Sequence, residues 1–241
     1  MTASAVWHAL SATWPAEEAI VQGALTLRRS PGGGSRVTAA TFDGRDAPGD
    51  ALLDDADAQM RGWGQVPTYR VRDDQTAVDR CLAARGLTRH DRTRLYAIPA
   101  RTLARSPPHL VTFDIWPPLA IQTEIWANGG IGPDRMAVME RTAGPRTALF
   151  ARHADRPAGT GFVAADGRAA MVHALEVCPA CRRAGVARHM MAHAALWALR
   201  HGCDTLAVAV TDANAPACAL YAGLGMVEVG RYHYRKGTVD A

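Results

Sequence analysis

Apolar and polar positions change period several times along this chain, and each change marks an element. In the first half, Ala24 to Arg29 and Arg36 to Phe42 alternate with the period of two expected of half-buried strands. They flank Pro31-Gly32-Gly33-Gly34, a run that predicts a hairpin connection. Pro15 suits the first turn of a short helix. A helix is predicted from about Ala51 to Gly62, then a strand at Thr68 to Val71. A second helix runs from about Thr76 to Arg85 and is stopped by Gly86, before a strand at Arg94 to Ile98.

The segment Ala104 to His109 breaks this series, because Pro107-Pro108 fits neither a helix interior nor a central strand. Beyond it the order reads β, α, β, β, β, α, β, α, β. The strands are Leu110 to Ile115, Thr147 to His153, Gly159 to Ala165, Met171 to Val177, Thr205 to Val210 and Val227 to Tyr234. Helical matter covers Leu119 to Glu140. A helix from about Gly185 to His201 carries Val186, Met190, Ala194 and Trp197 on one stripe, with Gly202 as its stop. A last helix covers Ala215 to Leu224. The expected division is therefore 1–106 and 107–241.

The halves carry a faint repeat. The shift that brings Gly86 onto Gly225 also brings Leu87 onto Met226, Val71 onto Val210 and Arg92 onto Arg231. Both copies read strand, helix, glycine, strand, which suggests a tandem duplication.

Composition excludes several classes. At 241 residues, 48% hydrophobic and 21% charged, the chain is ordinary globular material. Neither a signal peptide nor an apolar run long enough to span a membrane is present, so a cytoplasmic protein with no membrane partner is expected. The net charge of +4 comes almost wholly from scattered arginines, with Lys236 the only lysine. No basic run argues for nucleic acid, although the charge suits an anionic small ligand. Five cysteines without a secretion signal argue for reduced thiols. Cys178-x-x-Cys181 lacks the second pair that a zinc site wants, and His189 with His193 lacks a third ligand, so no metal is expected. Pro31 to Gly34 is no P-loop, because no Gly-Lys-Ser/Thr follows.

The chemistry concentrates in Leu175 to Arg188 (LEVCPACRRAGVAR). A buried strand runs through a proline-marked turn into a helix N-terminus. That arrangement aims free backbone N–H groups and a helix dipole at one spot, where a phosphate fits. Small residues at Gly185 and Ala187 allow close approach, and Arg183 and Arg188 add charge.

Here the chain resembles the GCN5-related N-acetyltransferase (GNAT) superfamily. Arg182-Arg183-Ala184-Gly185-Val186-Ala187 satisfies the family's acetyl-CoA loop, Arg/Gln-x-x-Gly-x-Gly/Ala. Downstream, Asn214 to Met226 (NAPACALYAGLGM) matches the family's Asn…Leu-Tyr-x-x-Leu-Gly-Phe signature, with Met226 in place of the usual aromatic. The likeness is sharp from Met171 to Arg235 and extends from Leu110. It implies an α/β fold, a mixed and mostly antiparallel twisted sheet flanked by helices, preceded by a degenerate copy. Acetyl-CoA is the implied donor, and a small-molecule or peptide amine the acceptor, attacking the thioester directly.

The resemblance also assigns residues. Backbone around Leu175 and Val177 would pair with pantetheine in a gap between two splayed strands, and Arg182 to Arg188 would hold the diphosphate. Asn214 would bind the CoA arm or cap its helix. Tyr221 matches the tyrosine beside the CoA sulfur and would protonate the departing thiolate. The base is open between His173, Glu176 and a chain of waters. Strict alternation puts residues 171, 173, 175 and 177 on one face and Glu176 on the other. The first half has Leu82 where the second has Tyr221, and it lacks the loop, so it reads as scaffold. Trp116, Trp126, Tyr232 and Tyr234 are candidate acceptor contacts or core. A CoA-binding regulatory module without turnover is the alternative reading. The acceptor, the acyl length and the oligomeric state are not legible.

Overall fold

The computed structural model describes residues 3–238. The helices are α1 (Ala3–Ala12), α2 (Ser35–Thr38), α3 (Asp50–Gly62), α4 (Thr76–Ala84), α5 (Ala100–Leu103), α6 (Ala120–Asn128), α7 (Pro133–Arg141), α8 (Val186–Arg200) and α9 (Ala215–Gly223). The strands are β1 (Glu18–Gln22), β2 (Leu25–Arg29), β3 (Ala40–Phe42), β4 (Thr68–Arg72), β5 (Thr88–Pro99), β6 (Thr112–Ile115), β7 (Arg146–His153), β8 (Arg156–Asp166), β9 (Ala169–Val177), β10 (Thr205–Thr211) and β11 (Val227–Lys236). All eleven strands form one sheet in the order β1-β2-β3-β4-β11-β5-β10-β9-β8-β7-β6. Among the described residues, β3/β4 and β9/β10 alone pair in parallel.

That order interlocks the halves. The last strand of the first half, β5, pairs with β10 of the second from Thr205↔Pro99 to Thr211↔Thr93. Conversely, β11 pairs with β4 from Tyr232↔Arg72 to Lys236↔Thr68. The two exchanged strands also pair with one another at the centre.

The duplication expected from Gly86 and Gly225 is written in the hydrogen bonds. The same shift carries α4 onto α9 end for end. Gly86 and Gly225 both take positive φ, 83° and 78°, which closes each helix without a Cβ clash. Leu87 N–H bonds Leu82 O as Met226 N–H bonds Tyr221 O, and the N–H of Gly86 and of Gly225 bond Ala83 O and Ala222 O. The exchange is reciprocal in detail: Asp73 N–H reaches Arg231 O, and Asp212 N–H reaches Arg92 O.

Apolar side chains settle on both faces. On one face, α5, α8 and α9 bury Val186, Met190, Met191, Trp197 and Tyr221 against Val163, Val172, Leu206 and Val208. Beside them, α3 and α4 bury Leu53, Met60, Val78 and Leu82 against Leu25, Leu27, Tyr69 and Val71. The opposite face receives α1 on Leu95, Ala97, Met171, Ala207 and Tyr232, and α6 and α7 on Ala148, Phe162 and Ala164. Gly32 and Gly33, in the loop after β2, leave no room for a Cβ against Asp134 and Val138 of α7. Arg141 of α7 donates to Pro15 O and Ser30 Oγ.

Two local expectations need correction. Pro15 opens no helix: α1 ends before it and β1 follows. Val6, Ala9 and Leu10 are the buried stripe of α1, a helical spacing visible in the sequence but short enough to pass unread. Arg36 to Phe42 is not one strand, because Ser35–Thr38 form a helical turn before β3. The helical matter expected over Leu119 to Glu140 is present as two helices, parted where Gly129-Gly130 and Gly132-Pro133 interrupt the ladder.

Candidate active site

The parallel pair β9/β10 ends at Val172↔Val208. Beyond it, the β10-facing edge of residues 173–177 finds no strand partner, and a cleft opens between the two strands. A bulge in β9 causes the parting. Ala174 takes φ 49°, and the register against β8 slips between Phe162↔His173 and Thr160↔Glu176. Indole Nε1 of Trp126 donates to Ala174 O at 2.8 Å and holds the bulge from the α6 side. Room comes from two glycines of β8. A Cβ on Gly159 would sit 2.8 Å from Glu176 O, and one on Gly161 would sit 3.1 Å from Leu175 Cδ1. Gly159 and Gly161 escaped the sequence reading, although glycine inside a strand pattern signals close backbone approach.

The bulge overturns the strict alternation expected for β9. Leu175 and Val177 turn toward α8, while His173 faces the other side with Phe162 and Trp14. Glu176 also lies on that other side, beneath Gly129 at the end of α6, where a Cβ would come within 2.7 Å of it. His173 and Glu176 therefore share a face that alternation had separated.

The turn after β9 leads through a 3₁₀ turn at Pro179–Cys181 into α8. Arg183 (φ 65°) and Gly185 (φ 82°) both enter the left-handed region, which turns successive amides to one side. Gly185 is the N-cap of α8 and offers no side-chain cap. Among the described residues, the N–H groups of residues 183–188 take no protein acceptor. Six bare amides at the positive end of a 15-residue helix form an anion cradle, and the exposed Arg182 and Arg183 stand beside it. The Arg182 guanidinium reaches back to Val177 O and the Glu176 carboxylate, both at 3.3 Å. Arg188 bridges to Gly223 O at the end of α9. Asn214 Oδ1 caps α9 by accepting from Ala217 N–H at 3.2 Å.

Tyr221 is buried among Tyr96, Leu220 and the α8 side chains, at 6% exposure. Burial pushes its phenol well above the ordinary value, so it holds its proton at any neutral pH.

His173 is also buried, at 4% exposure, and both ring nitrogens are engaged. Arg36 donates to Nδ1 at 3.0 Å, which puts the ring proton on Nε2, 2.8 Å from Thr13 Oγ1. Thr13 passes its own proton to Ala9 O. Burial, then the Arg36 charge, hold the imidazole well below 6.5. Thr13, Trp14 and Arg36 all come from the first half, and sequence reading gave no signal for them.

Other candidates take structural places. Trp126, Tyr232 and Tyr234 are core, and Trp116 lies half-buried under Arg146. His193 is bonded to Asp114 and Thr112. Burial raises the Cys178 thiol pKa.

Comparison with known proteins gives the family. Residues 116–226 match the model of the acetyltransferase (GNAT) family. The chain is similar to aminoglycoside N(6')-acetyltransferase type 1 of Serratia marcescens, 32% identical over 138 residues, 52% of this chain and 92% of that protein. The chain belongs to the GNAT family of acetyltransferases. As a GNAT protein it is an acyltransferase by family, and its whole fold recurs in solved structures. A GCN5-related N-acetyltransferase from Kribbella flavida superposes with TM-score 0.74 at 16% identity, covering 99% of this chain and 95% of that one. A tandem GNAT protein from the clavulanic acid biosynthesis pathway superposes with TM-score 0.60 at 18% identity, covering 100% and 98%. These two likenesses concern fold alone. They span both halves of the chain.

Proposed function

We propose that the chain transfers an acetyl group from acetyl-CoA to a primary amine, with 107–241 as the catalytic unit and 1–106 as its partner domain. The observation that carries this reading is the row of bare amides from Arg183 to Arg188 beside the cleft between β9 and β10. Such a row suits a diphosphate, and a cleft with free strand edges suits an amide-bearing arm. The bound thioester supplies an activated acyl group. The chain's own part is to hold the arm with backbone near Leu175 and Val177, to exclude water and to move two protons.

Tyr221 delivers one proton to the departing thiolate and regains one from the nitrogen as the amide forms; its raised pKa keeps it in the donor form. The other must leave the attacking ammonium. His173 has no free lone pair while Arg36 occupies Nδ1. Glu176 is the carboxylate on the same face, half-buried and, among the described residues, paired with Arg182 alone, and it receives that proton directly or through water. The likeness to an aminoglycoside acetyltransferase supports an amine on a small polar molecule as acceptor.

The test is thiol release from acetyl-CoA against a panel of amines that includes aminoglycosides and peptide N-termini. Amine-dependent release, lost in Tyr221→Phe with CoA binding retained, is the expected result. CoA binding without release across the panel would leave the chain a regulatory module instead.

A further inference from the structure

A second concavity lies in the first half, between α1 and strands β1 to β4, with a volume of about 600 Å³. Arg28 of β2 and Arg70 and Arg72 of β4 project into it. Arg70 is the unusual one. It is only 7% exposed, yet its guanidinium makes one hydrogen bond, from Nη2 to Ser11 Oγ at 3.1 Å, and otherwise lies over the Tyr232 ring. It has no carboxylate partner among the described residues. Burial lowers its pKa, and Arg36 and Arg72 press the same way. Arg28 is lowered to about 10 by burial and by Arg70. Its Nη1 is spent on Thr26 O, Ala39 O and Thr41 Oγ1, and the rest of its fork is free.

Three cations thus converge where acid is scarce. Asp43 lines the rim, and Asp74 pairs with Arg72 and Arg45 rather than with Arg70. A buried charge without a counter-charge costs several kcal/mol unless something pairs with it. Guanidinium forks match the oxygens of a carboxylate or phosphate. The rest of the wall mixes apolar Trp7, Phe42 and Pro15 and the hydroxyls of Ser11 and Thr41 with His8 and Gln75.

The place has a counterpart. β3/β4 pairing stops at Thr41↔Arg70, as β9/β10 pairing stops at Val172↔Val208. The shift that superposes the halves sets Arg70 on Ala209 and, by register, Thr41 on His173. The concavity therefore sits where the second half has the acceptor side of its own cleft.

We propose that this concavity is a binding site for a small oxyanion ligand, a carboxylate or phosphate carried on an apolar or aromatic body, gripped by Arg70 and Arg28. The site is independent of the transfer reaction.

Calorimetric titration with 3-phenylpropanoate and with inorganic phosphate tests it, on the full chain. Binding of at least one probe is expected, with a component unchanged in Gly185→Val and weakened at least tenfold in Arg70→Met and in Arg28→Met. Preference for phenylpropanoate would mark a carboxylate on a carbon body, and preference for phosphate a phosphoryl ligand. Arg70→Met is expected to melt no lower than the parent, because it removes an unpaired buried charge. Should it fail to fold, the less buried Arg28→Met decides. Binding of neither probe, binding untouched by the arginine substitutions, or binding lost in Gly185→Val would overturn the proposal.

Discussion

The turn before α8 and the turn before α3 occupy equivalent places in the two halves, yet they present opposite charge. The first runs Arg182-Arg183-Ala184-Gly185 into a helix whose opening amides are bare, with no acid in its first turn. The second runs Asp43-Gly44-Arg45-Asp46 to Gly49, and Asp50 begins the helix. A carboxylate there satisfies the helix dipole internally and repels a phosphate. One fold therefore appears twice, once with bare amides at this helix start and once with an aspartate there. The copy with the aspartate instead gathers arginines on its other face. Architecture is shared by the halves, while ligand chemistry follows a handful of side chains.

Substitutions at paired positions sharpen this contrast. Largest should be Tyr221→Phe, expected to lower kcat about 100-fold, the scale of a lost general acid. Its counterpart Leu82→Ala should cost stability alone, with kcat of the folded fraction unchanged in steady-state assays. Next is Gly185→Val. The position has open space around a Cβ but φ of 82°, so strain alone acts. A cost of about 2 kcal/mol for a β-branched residue there corresponds to roughly 30-fold weaker acetyl-CoA binding by calorimetry. Equal binding in the variant would break the assignment of the loop.

Asp79 and Cys218 form a third pair. Asp79 on α4 binds His233 and Arg235 of β11 at 2.7 Å each, and Arg89 of β5 at 2.5 Å. These three partners hold its carboxyl far below the usual range, against the pull of burial. That stability is present above the unfolded carboxylate value and disappears as pH falls through it toward the folded one. Asp79→Asn should cost about 2 kcal/mol in urea denaturation at pH 7 and flatten the acid limb. Asn214→Ala removes the α9 cap and should cost about 1 kcal/mol, with little change in CoA binding. A large loss of CoA binding would instead make Asn214 a ligand. The smallest effect concerns His173. Its folded pKa lies below 6.5, so the unfolded chain binds more protons under that pH. Stability should fall as pH drops below about 6.5, a slope that His173→Gln abolishes.

The same pairs explain what the sequence could disclose. The anion loop and the Leu-Tyr-x-x-Leu-Gly helix are local, contiguous and bound to particular φ values, so Gly185 and Tyr221 were legible. The repeat was legible as well, because Gly86 and Gly225 end equivalent helices by the same turn. The bulge at Ala174 was not, since it depends on Gly159, Gly161 and Trp126 from elsewhere in the chain. A one-residue slip there reversed the expected sides of Leu175, Glu176 and Val177. The surroundings of His173 were out of reach for the same reason: Thr13 and Arg36 lie 160 and 137 residues away.

The traded strands at the middle of the sheet also govern how the molecule is made. During synthesis β4 and β5 emerge early, but the partner that separates them is the last strand of the chain. Until it arrives, the nascent first half presents an open edge that any other copy's β11 fits equally well. Cutting the chain near Pro107 would leave two fragments, each holding a strand that belongs in the other. Such fragments are complementary pieces of one sheet, and mixing them should restore a fold that neither attains by itself.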